Sequence, residues 1–339
     1  MTFQKTTVAR MNAPYAITSL VIDGALRVAC ATEDHGPALI MAPPWREART
    51  LVPGPGGCMS LLPDRKNSGQ LFAIMGCFPG YKFQGAGIFQ LRGGGSGSWA
   101  ASRIFDLPFA HRIETVESPT ARWIVAANLA ADKSDPSDWS KPGAVWAARL
   151  SDDGDPRSGL EPVVKGIHKN HGLLLTRMEG RSALLIGGTE GLFSIDVQAV
   201  GPKWPTRQIT TVETSEMAVL DLDADRAEEL ATIEPFHGNA LRVYKHGRGG
   251  WSVAWEGELS FGHCVLGCSL GGAPGLLVGN RAGDKSLLFF RFDKTLKPER
   301  IVVDHGVGPA NMAVLDHGGK QRIFSTNQAT GEIAMYTVA

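Results

Sequence analysis

Nine histidines are spread over 339 residues, and three of them share one local setting. His111 opens the run HRIET, His171 opens HGLL and His263 opens HCVL, each at the start of a short apolar segment. A lone histidine at such a position is ordinarily a hydrogen-bonded liner of a channel. Three at matching positions invite another reading, because neutral imidazole nitrogen is the commonest protein ligand for divalent metals. On that reading His111, His171 and His263 hold one divalent cation (Mn, Zn or Mg), and Glu216, which opens EMAVLD, adds a carboxylate. His237, in the loop IEPFHGN, suits an acid/base beside the metal, since its ordinary pKa lies near working pH. Arg281, in GNRAGD, suits pairing with a carboxylate or oxyanion of a substrate. The candidate catalytic set is therefore His237, Glu216 and Arg281.

Such residues lie far apart in sequence, so repeated elements must bring them together. Strand-like runs separated by turns recur along the whole chain, and no segment keeps an amphipathic helical period over three turns. The clearest unit reads as four strands: Glu216 to Asp221, Leu230 to Ile233, Leu241 to Tyr244 and Trp251 to Trp255. Copies begin at His111, His171, Gly262 and Asn311, and two looser ones near Ala16 and Cys58. Seven units at roughly 42 to 60 residues fall in the range of propeller blades. The last unit has three strands, and an orphan piece, Thr6 to Arg10, precedes the first. The spacing predicts an all-β fold over residues 1–339: a single seven-bladed β-propeller of four antiparallel strands per blade, closed by the N-terminal strand. Within a blade the strands alternate in direction. The entry to the innermost strand and the loop between strands two and three therefore open on one face. Seven of the nine histidines fall on that face.

Composition narrows the field further. Equal numbers of basic and acidic residues, 34 of each, leave no footprint for nucleic acid. There is no apolar run long enough for a membrane span. The first nineteen residues hold no secretory-type apolar stretch, so the expected location is cytoplasmic. Glycine, at 41 residues, is well above the usual roughly 7% and fits many tight turns. The five cysteines form no CxxC pair and read as buried core thiols in a reducing compartment. Two loops stand out. DLDADRAEE, residues 221–229, alternates carboxylates as a calcium loop does, but Arg226 stands where a glycine permits the sharp turn. A hairpin without structural calcium is expected there. ADKSDPSDWSKPG, residues 131–143, is the longest insertion on the histidine face, and its Trp139 is placed to cover a bound ring.

The segment SEMAVLDLDADRAEELATIEPFHGNALRVYK, residues 215–245, resembles the FG-GAP or VCBS-type repeat of β-propellers. The segments beginning GHCVLG and DHGVGP look like degenerate copies, and all but one blade depart from the family's glycine-rich acidic turn. Among such propellers these blades look most like those of aldos-2-ulose dehydratase/isomerase-type enzymes, metal-dependent lyases acting on keto-sugars. The resemblance implies a metal-dependent lyase with a small carbohydrate-like substrate in the central channel. Two alternatives stand beside it: a metal-assisted hydrolase such as a lactonase, using the same ligands, and a non-catalytic propeller that binds a ligand or a protein partner, whose histidines bond locally and hold no metal. No nucleic acid or membrane partner is expected.

Overall fold

The computed structural model describes residues 1–93, 99–199, 201 and 203–339. Among them no helix forms, so none is long and apolar enough to cross a membrane. Twenty-eight strands make seven four-stranded antiparallel sheets. Their inner strands are Pro14–Ile22, Ser60–Pro63, Ala110–Glu117, Gly172–Met178, Glu216–Leu220, Gly262–Leu270 and Pro309–His317, which begin blades 1 to 7. Each inner strand touches the next, and the seventh touches the first, so the blades close into a ring.

Burial follows the position of each strand in its blade. Second strands lie between neighbouring blades on both faces, and every residue of Arg122–Ala130 and of Gln70–Met75 is buried. That is why they read as continuous apolar runs rather than as alternation. Outer strands such as Gly250–Glu258 are largely exposed. Blade 2 is the weakest in sequence because its inner strand spans four residues and ends at Pro63, which cannot extend a ladder.

Ring closure is made by the N-terminal strand. Phe3–Arg10 pairs antiparallel with Glu332–Val338, running from Phe3 opposite Val338 to Arg10 opposite Glu332. The strand begins three residues before the expected Thr6, because Phe3 packs onto the apolar cluster shared by blades 6 and 7.

One detail of the inner strands positions the site. In blades 1, 3, 6 and 7 the pairing slips by one residue at the axial end, and in blades 1, 3 and 6 the extra residue lines the axial cavity. Pro14 faces Thr32 and Ala16 faces Ala31, Ala110 faces Asn128 and Arg112 faces Ala127, and Gly262 faces Asn280 and Cys264 faces Gly279. In these three the extra residues are Tyr15, His111 and His263. A β-bulge re-aims its unpaired residue and bends the strand. Here three bulges turn three side chains toward the channel.

Candidate functional site

Four histidines meet at one end of the channel. His111 and His263 arrive on their bulges, and His171 stands one residue before the inner strand of blade 4. His237 overhangs from the loop between the second and third strands of blade 5, in a left-handed conformation at φ +47°. Gly238 makes that turn possible, since a Cβ there would lie 2.2 Å from the Glu234 carbonyl oxygen. His111, His171 and His263 are buried, and His237 is half-buried. The rings of His111 and His171 are 4.1 Å apart between centroids, those of His171 and His237 4.8 Å, and those of His237 and His263 4.9 Å.

Hydrogen bonds decide which nitrogens face inward. His263 Nδ1 lies 2.8 Å from the Ala310 carbonyl oxygen and donates to it. His171 Nδ1 has two acceptors, Glu216 Oε1 at 2.9 Å and the Ser215 carbonyl oxygen at 3.2 Å. With Nδ1 carrying the proton in both rings, both Nε2 atoms present lone pairs to the cavity. His237 Nε2 lies 3.2 Å from His171 Nε2. Tyr15 places its hydroxyl between the remaining pair, 3.3 Å from His111 Nε2 and 3.4 Å from His263 Nε2. His111 Nδ1 is buried with no partner.

The electrostatics favour neutral imidazoles. Burial, with mutual repulsion among the rings and from the arginines, holds His111, His237 and His263 well below the ordinary histidine pKa. Burial also lowers His171, against the pull of Glu216. Burial works against the charge of Glu216, but Arg112 and His171 outweigh it and keep the carboxylate ionised. Arg112 donates to Glu216 Oε1 at 2.5 Å and to the Met59 carbonyl oxygen at 3.1 Å. An ion pair thus backs the histidines, and its charges cancel.

The rings line a cavity of about 260 Å³ that also takes in Tyr15, Glu33 and Arg281. Its wall includes Tyr81, Phe83, Phe236 and Phe261. Trp139 meets Tyr81 and Phe236 edge-on at 5.5 and 5.4 Å. The 131–143 insertion therefore packs on the rings that form this wall, and it also buries Lys133, whose ammonium lies 3.1 Å from the Trp139 ring centroid.

The expected residues are thus found together, with one exchange of position, His237 for His111. The trio whose ligating nitrogens lie within 4.8 Å of one another is His171, His237 and His263. His111 stands beside them on Tyr15, and Glu216 holds His171 from behind. Arg281 lines the cavity. The other three histidines of this face stay outside: His35 stacks on Phe78 at 3.9 Å, His168 Nδ1 binds Glu190 Oε1 at 2.6 Å, and His305 is exposed. Sequence reasoning missed Tyr15 and Arg112. Arg112 had a signal, its place beside His111 on an inner strand, whereas Tyr15 belongs to one of the two weak copies.

No family model matches the chain, and no curated sequence is similar to it. Solved structures with the same architecture are plentiful. BBS1N in complex with ARL6DN aligns with a TM-score of 0.63 at 12% identity, over 98% of this chain and 94% of that one. The Myceliophteria thermophila Cps50 (Swd1) β-propeller domain aligns with a TM-score of 0.63 at 14% identity, over 99% and 100%. Saccharomyces cerevisiae Sqt1 aligns with a TM-score of 0.54 at 11% identity, over 100% and 98%. At these identities the likeness establishes the seven-bladed propeller fold.

Proposed function

We propose that this propeller binds a small polar molecule in its axial cavity, against a divalent metal held by His171, His237 and His263. The observation that carries the reading is the fixed tautomers of His171 and His263. Second-sphere acceptors on Nδ1 are the usual way to aim Nε2 at a metal, and a carboxylate acceptor raises ligand basicity. Zinc–imidazole bonds of about 2.0–2.1 Å imply nitrogens about 3.4 Å apart in a tetrahedral site, close to the His171–His237 separation of 3.2 Å. Imidazole donors suit Zn or Mn better than Mg. When bound, the metal supplies Lewis acidity to an oxygen of the ligand. Binding is the function proposed. Lyase chemistry on a keto-sugar, which the FG-GAP resemblance implies, is a narrower form of it, in which proton transfer falls to Tyr15 and His111. Hydrolysis of a lactone would use the same cavity.

A protein-docking propeller is the second reading, favoured by BBS1N having been solved with ARL6DN. The cavity favours the first, because docking on a rim needs no cluster of four histidines, three of them buried, at the axis.

Metal analysis of the purified chain tests the proposal. A single equivalent of Zn or Mn is expected, retained in His111→Ala and largely lost in His171→Ala, His237→Ala and His263→Ala. A wild-type chain that takes up neither ion after loading, or a His237→Ala variant that keeps it fully, would overturn the assignment.

A further inference from the structure

Arg281 lines the cavity. Among the described residues its guanidinium makes no hydrogen bond or ion pair, although its backbone N–H is anchored on the Phe261 carbonyl oxygen at 2.9 Å. The main chain is held while the fork is left open to the cavity. Other arginines at buried positions are matched: Arg112 with Glu216, and Arg122 with Asp64. Glu33 shares the cavity but is engaged elsewhere, accepting from Gln328 Nε2 at 2.5 Å. Burial raises the Glu33 pKa while the Arg281 charge pulls it back down, and among the described residues the two side chains make no direct ion pair.

We infer that the ligand of this cavity carries a carboxylate seated on Arg281, on a polar body that places a sugar-sized ring in the cavity. The inference rests on the reading that the cavity is a ligand site, and it adds the ligand's class. A guanidinium without a hydrogen-bonded partner favours an anion, and its planar fork matches a carboxylate with two parallel hydrogen bonds. The cavity limits the rest. At about 260 Å³ it has room for a single sugar-sized ring. Phe236, Phe261 and Tyr81 offer apolar faces to such a ring while the histidines and Tyr15 meet its oxygens. The two parallel donors of the Arg281 fork match the two oxygens of one carboxylate, and the binding test compares a phosphate monoester directly.

The test measures binding of D-glucuronate and D-galacturonate by calorimetry, with D-glucose and D-glucose 6-phosphate as comparisons, on protein whose metal content is assayed in parallel. Wild type should bind at least one uronate about tenfold or more tightly than glucose and glucose 6-phosphate. Arg281→Met should abolish that preference without changing metal content. Arg281→Lys should retain part of it, because charge survives but the fork does not. A wild type that ignores both uronates, ranks glucose or the phosphate equally, or keeps its preference in Arg281→Met would overturn the carboxylate assignment. Uronate binding that persists in protein unable to take up metal would overturn the metal reading alone.

Discussion

At the scale of single residues, the channel is built from side chains whose protonation the fold dictates. Glu114 shows how far that control extends beyond the cavity. It stands on the inner strand of blade 3, with Oε2 buried and without a partner. Burial raises its pKa from the ordinary 4.5 to about 7, against the pull of Arg65. Between those two values the folded chain keeps a proton that the unfolded chain has released. Stability therefore falls as pH rises from about 4.5 to about 7, and the cost is complete above that range. Glu114→Gln should remove this loss, gaining on the order of 1–3 kcal/mol over wild type at pH 8 and much less at pH 5. Urea unfolding at the two pH values measures it, and an equal gain at both would refute the assignment. The histidines were legible in the sequence because one residue type recurs at the same point of three blades, the third, fourth and sixth. Tyr15 and the exchange of His111 for His237 were not. Both depend on bulges and loop reach, and a bulge adds one residue without any mark in composition.

At the scale of elements, the acidic turn of blade 5 corrects a simple expectation. Residues 221–229 are not merely a solvated hairpin, for Lys245 reaches in from the third strand, Ala240–Gly247. Its ammonium meets Asp223, Asp225 at 2.8 Å and Glu229 at 3.1 Å. Asp221 meanwhile accepts the backbone N–H groups of Asp225 and Arg226. Arg226 takes the left-handed conformation, φ +75°, that a glycine would adopt more easily. The carboxylates at alternate positions were visible in sequence, but the cation that neutralises them comes from sixteen residues beyond the turn. An ammonium bonded to three carboxylates supplies the positive charge that a bound cation would bring to this turn. Lys245→Met should leave buried Asp223 and Glu229 uncompensated and cost about 2–4 kcal/mol in the presence of EDTA. Millimolar calcium should restore part of that loss, while wild type should unfold at the same temperature in EDTA and in calcium. A Lys245→Met protein indifferent to both additions would rule out this substitution of one cation for another.

At the scale of the whole molecule, the site exists only if the ring is closed. Each histidine comes from a different blade, so their convergence depends on the ring's circumference. The join is non-covalent: blade 7 takes its outer strand from the other end of the chain. Val8 is buried there, Thr7 donates to Glu332 at 2.9 Å, and Lys5 bridges Asp304 and Glu332 at 2.9 and 3.0 Å. Removing residues 2–10 would expose an open edge on Glu332–Val338 and cost roughly 3 kcal/mol or more, with aggregation to follow. The ends themselves lie together, since Ala339 donates its N–H to the Thr2 carbonyl oxygen at 3.1 Å and Phe3 faces Val338. An Asn-Gly pair could therefore join Ala339 to Thr2 as a hairpin turn. New ends opened between Met11 and Asn12 would keep the contacts on both sides, Met11 on Gly331 and Asn12 on Thr32 and Asp34. That permuted chain has a conventional fourth strand in blade 7. It should melt near the wild-type temperature and take up the same metal, because none of the residues lining the cavity moves. The truncated chain should do neither. A permuted chain that fails to fold, beside a truncated one that folds and binds metal, would show that the N-terminal strand does not close the ring.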